Sequence, residues 1–181
     1  MAMRHVRSLV VLAGIPLGLA AEWERLNGQQ LVDSLPDLVV GWVLIACGLA
    51  ALGRPPAARC GGLLIAAGFS WFLPNFAGAG PGIVRAIFAS TLFLHRGFVV
   101  HLLLVYPSGT VRGRLGFWLV VAGYAASVTP TAWADGKVAI ALSFALVAAT
   151  AVQYRRSRGV ERPACRAAFA AAVVFGSLVQ R

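Results

Sequence analysis

The chain has 181 residues, 59% of them hydrophobic, with a mean hydropathy of +0.79 and a formal net charge of +10. That much apolar surface exceeds what one soluble core of this size can bury, so the excess must face lipid and a soluble globular domain is excluded. The basic residues stand in small groups at alternate ends of apolar stretches instead of forming one aromatic-interleaved patch, which excludes a nucleic-acid groove.

Seven apolar segments follow in order, roughly residues 6–21, 38–53, 60–79, 82–106, 115–132, 138–154 and 167–180. The expected fold is all-α, a polytopic transmembrane helical bundle of about seven short spans in a single domain. Several segments fall below the ~20 residues of a comfortable span, so they extend into their flanks or sit in thinned bilayer.

The first segment has two readings. Met1 to Arg7 resembles a basic n-region, Ser8 to Leu19 an apolar h-region, and Gly18-Leu19-Ala20 a small-residue cleavage site, the pattern of a secretory signal peptide. A retained helix is the preferred reading because several more spans follow. Gly14 with Gly18, Ala46 with Ala50, and Gly62 with Ala66 are small-xxx-small pairs that allow close helix packing, either within the bundle or at a dimer face. Pro16 and Pro74 should kink the first and third segments. Cys47, Cys60 and Cys165 are too few and too scattered for a disulfide framework, so free thiols are expected. The run Gly78-Ala79-Gly80-Pro81-Gly82 is a turn between helices.

The connections carry the orientation. Arg4, Arg7, Arg54, Arg59, Arg112, Arg114, Arg155, Arg156, Arg158, Arg162 and Arg166, eleven of the sixteen basic residues, precede the first segment or fall in even-numbered loops. Five of the six acids, Glu22, Glu24, Asp33, Asp37 and Asp135, fall in the first and fifth loops, with only Arg25 and Lys137 beside them. For loops this short the positive-inside rule puts the amino terminus and the even loops in the cytoplasm of a multi-pass cell-membrane protein. Trp23, Trp42 and Trp133 then fall near the outer interface, and Trp118, Tyr106 and Tyr154 near the inner one. Trp71, about midway along the third segment, breaks the pattern.

The fourth segment holds Arg85, His95, Arg96 and His101, and intramembrane charge is costly enough to make these the candidate functional residues. On a continuous helix Arg85 and Arg96 differ by about 20° around the axis and share one face. No acid lies deep in a span to neutralise Arg96, whose expected partners are backbone carbonyls, Ser90, Thr150, Gln153 or water, while Arg85 can reach Asp37 or Glu22. Arg96 is read either as part of a polar element sensing a lipid, ligand or bilayer state, or as an anchor snorkelling to the inner interface. His95 and His101 diverge by about 240°, so they cannot share a metal. No metal or other cofactor is expected.

Catalytic signatures are missing. There is no phosphate-cradling glycine loop, no His-Glu-x-x-His, no Cys-x-x-Cys and no paired carboxylates within a span, so these residues are not expected to form an enzyme. Secondary transport needs no such motif but is weakened by the lack of an intramembrane acid or an obvious repeat.

The run from Leu94-His95-Arg96-Gly97 to Val105-Tyr106-Pro107-Ser108-Gly109, with Gly62-Leu63-Leu64-Ile65-Ala66-Ala67-Gly68-Phe69 and Trp71-Phe72 upstream, resembles the amino-terminal membrane region of sensor histidine kinases from GC-rich Gram-positive bacteria. The resemblance covers roughly residues 35–160. In that family a phospho-accepting dimerisation helix and an ATP-binding domain follow the bundle, and no residue here matches either. His95 and His101 are therefore not phosphorylation sites. The resemblance implies an input or anchoring module of a two-component system, acting as a homodimer through helix movement, with a kinase core or response regulator encoded nearby. A small transporter or channel and a structural membrane subunit are the alternatives.

Overall fold

The computed structural model describes residues 2–26, 31–54, 57–78, 80–129, 131–132 and 135–179. Its elements are α1 (Ala2–Leu26), α2 (Leu31–Leu52), α3 (Ala58–Phe72), a 3-10 turn (Leu73–Phe76), α4 (Gly82–Ser90), α5 (Leu94–Val105), α6 (Gly113–Ser127), α7 (Gly136–Arg156) and α8 (Glu161–Val179). No strand occurs among the described residues. Each apolar segment coincides with a helix or helix pair. Residues Leu35–Leu52, Gly82–Val105 and Gly136–Arg156 are long and apolar enough to cross a bilayer. At 15 residues each, α3 and α6 reach only ~22 Å against ~30 Å of hydrocarbon. Trp133 and the side chains of Arg4, Glu24, Arg25 and Asp33 lie outside the described residues.

Large apolar side chains stay on the outside, among them Leu12 at 69%, Leu115 at 68% and Phe144 at 67% exposure. In lipid such surface carries no penalty, and helices associate instead through close packing of small residues. Two clusters dominate the packing, with a smaller one, Ala126 of α6 and Ala139 of α7, beside the second. Ala21 of α1, Ile45 of α2 and Phe72 of α3 make one. Val100, Leu103 and Leu104 of α5, Leu119 and Val120 of α6, Leu146 of α7 and Ala172 of α8 make the other.

The first core is built on glycines seven apart. Gly48 of α2 lies opposite Gly61 of α3, where a Cβ on either would stand 2.7 Å from the other's carbonyl oxygen. Two turns along, a Cβ on Gly68 would stand 2.8 Å from the Gly41 carbonyl oxygen. Backbone thus meets backbone, with the Ile45 and Ile65 side chains packed alongside. The fully buried Phe72 ring then fills the space left by Gly18 of α1 and Gly41 of α2. Of the three expected small pairs, only Gly14 and Gly18 pack inward, against Ile45, Phe69, Trp42 and Phe72. Gly62, Ala46 and Ala50 are exposed, on faces turned away from the Gly41–Gly48 and Gly61–Gly68 seam.

Three further expectations are corrected. The α2 helix begins seven residues before residue 38, which moves Trp42 from the interface to mid-helix, where its indole donates a hydrogen bond to the Gly14 carbonyl at 3.2 Å. Pro74 does not kink the third helix but opens the 3-10 turn that ends it, since proline offers no N–H to continue the α ladder. Trp71 therefore sits at the carboxyl end of α3 and not at a midpoint. Pro16 lies within an unbroken α1.

The fourth segment is not one helix. Residues 91–93 form a turn between α4 and α5, held by i to i−3 bonds at Thr91, Leu94 and Arg96. Ser90 Oγ and Thr91 Oγ1 donate to the Ile87 and Phe88 carbonyls at 2.8 and 3.0 Å, and such hydroxyl back-bonding bends helices without proline or glycine.

Candidate functional site

The α5 helix packs against α3, α6, α7 and α8, so its polar side chains lie where the two cores meet. Its ends follow from local chemistry. Pro107 cannot donate a backbone bond, Ser108 Oγ turns back to the Val105 carbonyl at 3.2 Å, and Gly109 adopts φ +71 while its N–H reaches the same carbonyl at 2.8 Å. Tyr-Pro-Ser-Gly is thus a helix stop, with glycine where the chain turns left-handed.

The two histidines point opposite ways. His95 meets Trp71 of α3 edge to face, with ring centroids 4.8 Å apart, and its buried Nδ1 has no hydrogen-bond partner. His101 Nδ1 lies 3.1 Å from the Tyr124 hydroxyl of α6. Gly97 lets α6 approach between them: a Cβ there would stand 2.8 Å from Ser127 Oγ and 2.9 Å from the Tyr124 ring.

Arg96 is half-buried, its guanidinium 4.6 Å from the centre of the Phe93 ring. Of the partners expected from sequence, Ser90 and Thr150 turn their hydroxyls onto their own helices, and Gln153 donates to the Leu104 carbonyl at 2.9 Å. Arg85 does not share an inward face with Arg96. The turn at 91–93 sends α4 against the 3-10 turn, with Phe88 beside Phe76 at 5.6 Å, and leaves Arg85 exposed.

One buried polar residue was misplaced by the sequence reading. Glu22, expected in the first loop, lies inside α1, is only 7% exposed, and neither carboxylate oxygen has a hydrogen-bond partner. Four residues separate it from Gly18 and eight from Gly14, so it continues the face turned to Trp42 and Phe72. That spacing was the available clue. Among the described residues no three His, Cys, Asp or Glu side chains gather as a metal site, and the three cysteines are free.

At the other end of the bundle the arginines converge. The Arg7 guanidinium lies against Gly53. Arg112, ahead of α6, pairs with Glu161, the first residue of α8, at 3.3 Å. Arg162 lies over the Tyr154 ring, which stacks on Phe169. Comparison with models of known protein families, with curated proteins and with solved structures gives no match.

Proposed function

We propose that this chain is a seven-span sensory or anchoring module of the cell membrane, amino terminus in the cytoplasm, of the kind that feeds a histidine kinase core. It works by movement of α5 within a homodimer. The observation that carries this reading is that α5, part of the second core through Val100, Leu103 and Leu104, also packs on α3 of the first, with His95 engaged on the α3 side and His101 on the α6 side. A helix that bridges two cores and turns one histidine towards each can take two packings of similar energy, which is what a stimulus must bias. The convergence of Arg7, Arg54, Arg112 and the α7–α8 arginines at one end supports the orientation, since a positive cluster belongs on the cytoplasmic side.

The test is a chimera of this chain with a histidine kinase core, assayed for autophosphorylation in liposomes of varied thickness and headgroup. Output should follow the bilayer state, and Arg96→Leu should shift basal output severalfold. Output indifferent to every bilayer would sink the sensor reading, while a normal response in Arg96→Leu would reduce that arginine to a snorkelling anchor.

One observation favours a second reading, coupled transport. The buried, unpartnered carboxylate of Glu22 is the kind of group that carries protons or ions through a membrane. Robust coupled flux in proteoliposomes, abolished in Glu22→Gln, would replace the sensor assignment.

A further inference from the structure

We infer that the groove between the start of α6 and the end of α7 is a binding site for the headgroup of an anionic phospholipid. A cavity of about 410 Å³ opens there. Arg112, Arg114, Arg156 and Arg158 line its rim with one carboxylate, Glu161, so four positive charges against one negative leave +3. Each guanidinium can grip a phosphate through two parallel N–H bonds.

The floor is of opposite character. Leu104, Leu115, Ala148, Ala149 and Val152 form it, and Leu115 and Val152 remain 68% and 45% exposed. An apolar track therefore runs from the charged rim onto the outer faces of α6 and α7. A free anion would have no use for it, whereas a phospholipid would lay its acyl chains along it. Gly113, at φ +76 with open space where a side chain would stand, keeps the mouth clear. Arg112 is held at the rim by Glu161, which an incoming phosphate displaces in part. The site rests on the reading that this end of the bundle lies at a membrane surface, where basic clusters between helices meet acidic headgroups.

The test uses the full chain in nanodiscs containing both phosphatidylglycerol and phosphatidylcholine, with retained lipid counted by native mass spectrometry. Phosphatidylglycerol should be retained about tenfold over phosphatidylcholine, equal to ~1.4 kcal/mol. The triple variant Arg112→Gln, Arg156→Gln, Arg158→Gln should bring the ratio near one. Val152→Trp, which fills the floor and leaves the charge unchanged, should do the same and serves if the triple variant fails to fold. Arg59→Gln with Arg166→Gln, at the same end but outside the groove, should leave the ratio intact. An equal loss in that control would make the preference diffuse surface charge, and displacement by inorganic phosphate alone would make the groove a free-anion site; either overturns the proposal. Retention is read with no kinase core attached and both disc faces open, so its failure leaves the sensor reading standing.

Discussion

His101 Nδ1 and the Tyr124 hydroxyl stand 3.1 Å apart across the α5–α6 contact, their rings edge to face with centroids 5.8 Å apart. Phe98, one turn earlier on α5, meets the same tyrosine ring at 5.4 Å. Tyr124 is thus clasped by two side chains of α5, one polar and one aromatic. Tyr124→Phe keeps the rings and removes the bond, so the expected destabilisation is about 0.6 kcal/mol and below ~1.7 kcal/mol, the range for interhelical bonds in lipid. A double-mutant cycle with His101→Phe, followed by unfolding in mixed micelles, should return that coupling. A coupling of zero would mean the bond is not formed.

The backbone contact of α2 with α3 gives a sharper contrast. Gly48→Ala or Gly61→Ala puts a methyl 2.7 Å from a carbonyl oxygen that cannot rotate aside, and should cost about 1–3 kcal/mol. Gly62→Ala, a neighbour on the same helix with open space around it, should be neutral or stabilise by about 0.5–1 kcal/mol. Circular dichroism through a denaturing-detergent titration separates them.

Glu22→Gln should not destabilise the bundle. A buried carboxyl group without a hydrogen bond disfavours the folded state, and the isosteric amide is no more costly to bury, so the expected effect lies between zero and a gain of about 1–3 kcal/mol. A loss of that size in the same unfolding assay would reveal a partner for the carboxylate in the folded protein.

Removing the Arg112–Glu161 pair should matter little to stability. Both side chains are about half exposed, so Arg112→Gln or Glu161→Gln should cost less than about 1 kcal/mol, and less again at high salt. Thermal unfolding in detergent at two salt concentrations reads the difference.

Orientation is tested by labelling. With Cys47, Cys60 and Cys165 replaced by alanine, Arg59→Cys should react with an impermeant maleimide only in opened membranes, and Lys137→Cys in intact cells. The reverse pattern would invert the assignment.

The helices were legible because hydropathy reports which stretches avoid water, and six of the seven segments fall on one helix while the fourth falls on two. Their ends were less so. Glu22, Trp23 and Glu24 look like a loop by polarity, yet α1 runs to Leu26, because a carboxylate can be buried by helices that hydropathy does not see. The turn at 91–93 carries no proline or glycine; Ser90 and Thr91 bond back to the Ile87 and Phe88 carbonyls there, as Ser70 and Thr150 do elsewhere without ending a helix, so sequence does not single it out. The glycines that join α2 to α3 were hidden by their spacing of seven in a chain rich in small residues. His95 and His101 were separable by helix phase alone, whereas the link between Arg85 and Arg96 failed as soon as the helix broke.

The close seam of α2 and α3 sets what this molecule can do mechanically. With Gly48 and Gly61 in register and each main chain against the other's carbonyl, flanked by Ile45 and Ile65, neither helix can slide or roll past the other without collision. The hairpin behaves as a stiff lever, and its motion passes to the rest of the bundle through its junction with α5, where the Trp71 indole leans on the His95 imidazole.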